Sequence, residues 1–287
     1  MLAYAAVHRN VTVLDLRQSA EMPRFEPTDL PAWRDRVHGV VLCLGYDGPA
    51  DEIIGWIGRS GVPAVSVRMD LIDPSLPAVF IDPDSIARLA VDHLMAMTAA
   101  SFLHVGSMRC KGPRLRAEAM VRVLAARGRA AASYEVDTLI LGGVDDEATL
   151  AGDQRLTDLL TTLPRPVGIL CLNDAIARAV VMRCQTLGLA IGSEALVVGV
   201  DDTAIAADAT PSITSIKVSC ETVAARAVVQ RIGRRWNYRL AGTDKYRSSA
   251  ESVGKNGFWI DIGKTSERCG PPRRHCPGWQ ALSATSG

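Results

Sequence analysis

Short apolar runs, rich in β-branched residues, alternate with longer amphipathic stretches over most of the chain. This alternation predicts parallel strands connected by helices that cover the sheet. Most runs are apolar at nearly every position, as expected of strands buried on both faces. The pattern occurs twice, over about 11–82 and 102–204, and predicts two similar α/β lobes. The predicted strands are Val11–Leu16, Val40–Leu44, Ala64–Val67, Ala78–Ile81, Phe102–Val105, Ala132–Glu135, Gly168–Leu172 and Ala195–Val200.

The amphipathic stretches between these runs predict helices with identifiable ends. Gly61 follows the first helix and predicts a left-handed C-terminal cap. Asp84 and Ser85 are predicted to cap the second helix, and Asp174 the fifth. The predicted helices are Asp51–Ser60, Ile86–Met97, Arg114–Arg127, Asp153–Leu163, Asp174–Leu187 and Glu221–Ile232.

Charge divides the 287 residues into two parts. The chain carries 32 Lys and Arg against 31 Asp and Glu, yet residues 234–287 hold 10 of the basic and only 4 of the acidic residues. The tail is therefore basic and the rest of the chain acidic. A near-neutral total argues against a protein that coats nucleic acid along its whole length. We predict an irregular tail over 234–287, because it is rich in Arg, Gly, Pro and Ser.

Targeting and redox features predict a cytoplasmic protein without a membrane partner. No apolar run is long enough to cross a bilayer. The N-terminal residues lack the basic start and long apolar stretch of a secretory signal. Seven cysteines are scattered at positions 43, 110, 171, 184, 220, 269 and 276. An odd, dispersed set indicates reduced thiols instead of a disulfide framework.

Sequence motifs of common enzymes are absent from the chain. There is no phosphate-binding loop, no dinucleotide-binding glycine motif after a strand and no nucleophile elbow. The five histidines lack metal-ligand spacing, and Cys269, His275 and Cys276 offer only three ligands within the irregular tail. We therefore predict no catalytic residue, no metal and no cofactor.

Polar side chains come directly after three of the predicted strands. Asp82 follows the fourth strand, Asn173 and Asp174 follow the seventh, and Asp201 follows the eighth. In open α/β sheets, ligands bind at the carboxyl ends of the strands. A capping role alone explains Asp174 at least as well as ligand contact. Asn173 and Asp201 are harder to explain as caps, because each ends its strand before the expected cap position.

Arg116 adds a cation to this set near the start of the predicted helix after the fifth strand. A cation there opposes the helix dipole, so a separate partner is expected, although a solvated surface position is an equal alternative. Carboxylates, amides and a guanidinium together bind sugar hydroxyls in fixed directions. The predicted ligand-binding residues are Asp82, Arg116, Asn173, Asp174 and Asp201.

Several segments resemble the effector domain of the lac-repressor and ribose-binding-protein superfamily, which has the type I periplasmic-binding-protein-like fold. The resemblance covers about 11–232. Within that superfamily, Asp158–Pro166 is most similar to D-xylose-responsive regulators of the arabinose-regulator type. The segments that carry the resemblance are Asn173-Asp174-Ala175, Leu187-Gly188-Leu189, Leu196–Asp202, Arg116–Met120 and Thr214–Ile216.

The resemblance implies two doubly wound parallel-sheet lobes that close on a monosaccharide. It assigns 1–82 with 217–233 to the N-terminal lobe and 83–216 to the C-terminal lobe, and leaves 234–287 outside. It implies a sugar-sensing effector domain of a transcription regulator, with D-xylose or a related monosaccharide as effector, and a homodimer. It also implies contact residues at Arg116, Asn173 and Asp201, with Asp82 nearby.

Two departures from the family keep other interpretations open. The family has a strand and a helix before the segment matching Val11–Leu16, so the first lobe is expected to be truncated at its N-terminus. No helix-turn-helix pair is recognisable after Ile232, so DNA contact would need a module not visible in this chain. The alternatives are an inactive, truncated or frameshifted fragment of such a regulator and, with less support, a solute-binding receptor or an α/β enzyme.

Overall fold

The computed structural model describes residues 38–42, 50–67, 76–108, 111–136, 150, 152–218, 223, 227, 257–260 and 281–283. The described residues divide into two compact units, one within 1–81 and 219–260 and the other within 82–218 and 261–287. The predicted strand Val11–Leu16 and most of the predicted helix Glu221–Ile232 lie outside the described residues. The lobe boundaries given above remain predictions.

The described elements alternate between strand and helix from β3 to β8, as the sequence predicts, whereas β2 and β3 follow each other without a described helix between them. The strands are β1 (Val40–Leu42), β2 (Ala64–Ser66), β3 (Ala78–Ile81), β4 (Ser101–Gly106), β5 (Ala132–Glu135), β6 (Val167–Cys171), β7 (Ala195–Val200), β8 (Thr214–Lys217), β9 (Gly257–Ile260) and β10 (Ala281–Ser283). The helices are α1 (Ala50–Ser60), α2 (Pro83–Ala96), α3 (Lys111–Ala125), α4 (Gln154–Thr162), α5 (Asp174–Thr186) and α6 (Ala204–Asp208).

The first unit contains a parallel sheet in the order β1-β2-β3-β9. Helix α1 connects β1 to β2 and packs its apolar face on them, with Ile53, Trp56 and Ile57 buried against Leu42 and Ala64. The helix ends where predicted, because Gly61 has a φ of +68°, a conformation that costs a glycine little and other residues more.

The second unit contains a six-stranded parallel sheet in the order β10-β8-β7-β6-β4-β5. Strands β4 to β8 thus follow a doubly wound order in which the chain first moves to one edge and then reverses toward the other. A Cβ added to Gly168 of β6 would touch Leu94 of α2 at 3.2 Å. The next residue, Ile169, belongs to the core formed with Leu160 of α4 and Val180 of α5. Helices therefore cover both faces, and the predicted α/β class with doubly wound parallel sheets is confirmed.

Helix α2 begins earlier than predicted. Pro83 occupies the first turn, where its missing N–H and fixed φ favour a helix start. The capping residue is Asp82, whose carboxylate accepts hydrogen bonds from the backbone N–H of Asp84 at 3.1 Å and of Ser85 at 3.2 Å. The predicted caps, Asp84 and Ser85, are instead donors to the true cap.

Two strands lie within the tail that the sequence predicts to be irregular. Strand β9 pairs with β3, and β10 pairs with β8, both in parallel. A sheet edge presents unpaired N–H and C=O groups, which any extended segment can satisfy whatever its composition. This explains why the composition of the tail does not reveal its two strands. Within the described part of the chain, every helix is too short or too polar to span a bilayer.

Candidate functional site

The carboxyl ends of β4 and β6 lie side by side where the strand order of the six-stranded sheet reverses. The two strands pair in parallel, with His104 opposite Leu170 and Val105 opposite Cys171. The chain then leaves β4 for α3 and leaves β6 for α5. Ligands of open α/β sheets bind at such a reversal, so this edge of the second unit is the candidate site.

Arg116, on the second turn of α3, reaches across the reversal to the end of β6. Its Nη1 donates a hydrogen bond to the backbone oxygen of Leu172, the residue between β6 and the cap of α5. The guanidinium is also close enough to influence the pKa of both His104 and Asp201. The partner that the sequence predicts for this cation therefore lies at the candidate site.

Asn173 is the cap of α5, which corrects the expectation that Asp174 has this role. Its backbone is extended, and its side-chain oxygen accepts a hydrogen bond from the N–H of Ile176 at 2.9 Å. Asparagine is among the best capping residues. The amide nitrogen of the same side chain is not needed for the cap, so Asn173 can serve the helix and still offer donors to a ligand.

Asp174 is buried, with 1% of its surface exposed, and its carboxylate faces the protein interior. Its Oδ2 accepts hydrogen bonds from the N–H of Thr203 at 2.7 Å and from the Thr203 hydroxyl at 2.8 Å. Its Oδ1 accepts a hydrogen bond of 2.6 Å from the hydroxyl of Ser215 on β8. Both carboxylate oxygens are thus engaged by the protein, and the predicted ligand role of Asp174 remains a prediction.

Asp201 differs from Asp174 in keeping an exposed surface. Its backbone N–H donates to the oxygen of Ile216 at 3.0 Å, which ties the segment after β7 to β8. Packing of protein around the carboxyl raises its pKa to about 6 by desolvation; Arg116 lowers this pKa and Asp174 raises it. Arg116 and Asp174 therefore both lie within electrostatic reach of Asp201.

The segment at Asp201 also has an unusual backbone. Asp201 has a φ of +106° and Asp202 a φ of +54°, two consecutive non-glycine residues with positive φ. Such conformations cost free energy and persist only where surrounding contacts enforce them. The contacts here are the hydrogen bond from Asp202 N–H to Ser215 Oγ at 3.0 Å and the bond from Asp201 N–H to Ile216.

Asp82 makes its described contacts within helix α2. Besides capping α2, its carboxylate accepts a 2.7 Å hydrogen bond from the hydroxyl of Ser85 and lies 3.6 Å from Nη2 of Arg88. These contacts are all within α2 and do not link Asp82 to the reversal of the sheet. Its predicted ligand contact stays a prediction, with capping as its demonstrated role.

His104 is a site neighbour that sequence reasoning missed. It is 2% exposed on central strand β4, and neither ring nitrogen has a hydrogen-bond partner within the described residues. Its ring lies over Gly106, where an added Cβ would be 2.7 Å from the ring Cε1. Burial, and then the charge of Arg116, lower its pKa to about 4. The available signal was a histidine inside the otherwise apolar run Phe102–Val105.

Groups suited to metals or thiol chemistry do not gather at this edge. Within the described ranges, no three His, Cys, Asp or Glu residues form a group that could hold a metal ion. Cys269, His275 and Cys276 lie outside those ranges. Cys171 and Cys184 are free and buried. Burial raises the pKa of Cys171 well above its ordinary value and that of Cys184 to about 12, which keeps both thiols protonated and inert.

Solved structures of regulators and binding proteins have the same fold. A periplasmic binding protein/LacI transcriptional regulator from Alkaliphilus metalliredigens, complexed with D-xylulofuranose, is 20% identical, with a TM-score of 0.57 over 75% of this chain and 76% of that one. A ribose-bound LacI family regulator from Enterococcus faecium is 15% identical, with a TM-score of 0.58 over 73% and 75%. A dimeric Lac repressor is 19% identical, with a TM-score of 0.56 over 75% and 76%.

Family membership is a separate finding from this likeness in fold. Among curated proteins, none matches the chain. Residues 91–237 match the periplasmic binding protein-like domain, over just more than half of the chain and across every strand from β4 to β8. The match contains Arg116, Asn173, Asp174 and Asp201. The chain therefore belongs to the periplasmic-binding-protein-like domain family, whose solved neighbours in fold include LacI-type regulators.

Proposed function

We propose that this chain is the effector-binding part of a LacI-type transcription regulator that senses a monosaccharide in the cytoplasm and does not catalyse a reaction. The proposal includes a homodimer, with DNA contacts made by a module not recognisable in this sequence. The observation that carries it is the gathering of Arg116, Asn173 and Asp201 around the strand reversal of a family-matched sheet.

The chemistry of these three residues suits a polyhydroxylated, uncharged ligand. The Asp201 carboxylate can accept two hydroxyl hydrogen bonds, and the Asn173 amide nitrogen can donate to a ring or hydroxyl oxygen. Arg116 has further N–H donors besides the one on Leu172, in a fixed planar array. The Arg116 cation is matched by the carboxylates of Asp201 and Asp174, so the site has no excess of positive charge, which favours a neutral sugar over a phosphate or a carboxylic acid.

The proposed ligand class is a pentose, with D-xylose as the first candidate. Two observations support this choice. The first is the similarity of Asp158–Pro166 to D-xylose-responsive regulators. The second is the sugars named for the A. metalliredigens and E. faecium proteins, which are D-xylulofuranose and ribose. Both named sugars have five carbons. In its pyranose form, D-xylose lacks the exocyclic hydroxymethyl group that the pyranose of an aldohexose such as D-glucose has, so discrimination between the two would depend on whether that group fits.

Isothermal titration of the full chain with D-xylose, D-ribose, L-arabinose and D-glucose tests the proposal. We expect heat with at least one pentose and at least tenfold weaker affinity in Asp201→Asn, because an amide replaces one acceptor oxygen with a donor (a hydrogen bond to a charged group contributes about 1.5–3 kcal/mol). Asp208→Asn, an exposed aspartate on α6, is the matched control and should bind like the wild type.

Two outcomes would contradict the proposal. If the wild type is folded by circular dichroism and gives no heat with any of the four sugars, sugar sensing is wrong for this chain. If Asp208→Asn weakens binding as much as Asp201→Asn, the effect belongs to net charge and the assigned site is wrong.

A further inference from the structure

The buried carboxylate of Asp174 connects three segments of the second unit. Asp174 itself begins α5, Thr203 precedes α6, and Ser215 lies on β8. Three hydrogen bonds of 2.6–2.8 Å join them at this single side chain. A buried carboxylate held by three donors is well satisfied, so its removal would leave unpaired donors at a buried position.

Ser215 extends the connection to the backbone of the Asp201 segment. Its hydroxyl donates to Oδ1 of Asp174 and accepts a hydrogen bond from the N–H of Asp202 at 3.0 Å. Thr203, on the other side of Asp202, is bound to Oδ2 of the same carboxylate. The two residues that follow Asp201 are thus both fixed, directly or through Ser215, by Asp174.

Gly199 makes this arrangement possible. It lies on β7 opposite Ser215 of β8, and a Cβ added to it would overlap Oδ1 of Asp174. The carboxylate therefore lies directly against the backbone of β7, two residues before Asp201. Only a glycine leaves room for this approach.

We propose that Asp174 is a positioning residue, whose carboxylate fixes the strained Asp201–Thr203 segment and so sets where the Asp201 carboxylate lies at the candidate site. This inference goes beyond a list of sugar contacts and rests on the proposed function only for its effect on ligand affinity. The strained φ values of Asp201 and Asp202 fit this role, since such conformations need enforcing contacts.

The electrostatic surroundings of Asp201 supply a readout that does not need the ligand. Desolvation is the largest cause of its raised pKa, and Arg116 on α3 and Asp174 on α5 act in opposite directions. The other charged or titratable groups nearby are Asp202, which lies 3.8 Å from Lys217 of β8, and His104 of β4, which senses Arg116. Release of the segment would increase solvation of Asp201 and lower its pKa from about 6.

The experiment compares Asp174→Asn and Ser215→Ala with the wild type, with Ser101→Ala as control. Ser101 loses a comparable hydroxyl bond, 2.6 Å to the oxygen of Pro164, at the opposite end of the same sheet. The Asp201 carboxyl is followed by NMR titration, and sugar affinity by calorimetry. Ser215→Ala is decisive, because it keeps the charge of Asp174, so a lower Asp201 pKa then reports movement of the segment.

We expect the Asp201 pKa to fall in both variants and sugar affinity to drop about tenfold or more, with Ser101→Ala unchanged. An Asp201 pKa in Ser215→Ala equal to that of the wild type would overturn the proposal, whether or not Asp174→Asn folds. If the wild type binds no sugar, the proposed function fails, while the pKa comparison still decides whether Asp174 positions Asp201.

Discussion

The junction between β6 and α5 and the junction between β7 and α6 have similar sequences but different environments. Each consists of a buried apolar strand followed within three residues by an aspartate and another polar residue. At the first junction, Asn173 caps a helix of 13 residues, and Asp174 is buried with hydrogen bonds to both of its carboxylate oxygens. At the second, Asp201 stays exposed, and Thr203 precedes a helix of 5 residues without a side-chain capping bond.

The difference shows that a carboxylate after a strand is buried by the fold only where hydrogen-bond donors are available to it. Asp174 is next to a hydroxyl on β8 and to the Thr203 segment, which satisfy its charge. The backbone N–H of Asp201 is hydrogen-bonded to β8, whereas its carboxylate has no such bond in the described contacts. The first junction therefore supports the second, and the second retains a carboxylate that can bind a ligand.

A substitution that fills the space beside Asp174 should have the largest effect on stability. Gly199→Ala forces a methyl group against the carboxylate and the Cα of Asp174, and we expect it to lower the free energy of unfolding by about 3 kcal/mol, at the upper end for an overpacked core. Urea denaturation measures this. Gly58→Ala, an exposed helical glycine with open space around it, is the control and should stabilise by about 0.5–1 kcal/mol. Equal stabilities of Gly199→Ala and wild type would contradict the tight contact.

His104 extends the comparison to a buried group whose ring nitrogens have no hydrogen-bond partner within the described residues. Its pKa is lowered to about 4, so the unfolded chain takes up the proton first and stability is lost as pH falls from 6.5 toward 4. Relative to His104→Phe, the wild type should lose on the order of 3 kcal/mol between pH 7 and pH 4.

Denaturation of both proteins at several pH values between 7 and 4 measures the difference. Asp201 acts in the opposite direction, because its raised pKa favours the folded state as pH falls through about 6. This contribution is common to both proteins and should cancel in the comparison. A stability difference that is constant across the range would show that His104 is not buried as described.

Caps provide the smallest and most selective test of the two junctions. Asn173→Ala should lower the free energy of unfolding by about 1 kcal/mol through loss of the hydrogen bond from the N–H of Ile176. Asn173→Asp should keep the free energy of unfolding within about 0.5 kcal/mol of the wild-type value. Sugar affinity, measured alongside, should fall in both, because each removes the amide donors. Asp82→Ala should cost about 1 kcal/mol at the start of α2, and its sugar affinity decides whether the predicted ligand contact of Asp82 exists beside the capping role. Unchanged affinity in Asn173→Asp would confine Asn173 to capping.

Much of the second unit could be predicted from particular residues in the sequence. Continuous apolar runs identified β6 and β7, since a strand buried on both faces has no polar alternation. Asn173 and Asp201 stood out because they follow such runs directly. Arg116 stood out because a cation is unfavourable near a helix start without a partner, and the partner is the carbonyl of Leu172.

What could not be predicted depends on contacts between residues far apart in the chain. Asp174 was expected as a cap because local geometry favours it, but its carboxylate turns inward to Ser215, 41 residues away. The choice between Asn173 and Asp174 as cap followed from that distant hydroxyl. The tail strands β9 and β10 were missed for the same reason, since an exposed sheet edge and not local composition gives them their pairing.

The sequence by itself determined the alternation of strands and helices, the parallel sheets and the residues that end the strands, because hydrophobic period and local capping are properties of neighbouring residues. Tertiary structure alone decided which of two adjacent polar residues is buried and which strand-end carboxylate stays open. It also placed the His104 imidazole, which has no hydrogen-bond partner within the described residues, within electrostatic reach of the Arg116 guanidinium. Hydrogen-bond satisfaction and desolvation depend on what is nearby in space, and the fold brings β8 and α3 to these side chains from distant parts of the chain.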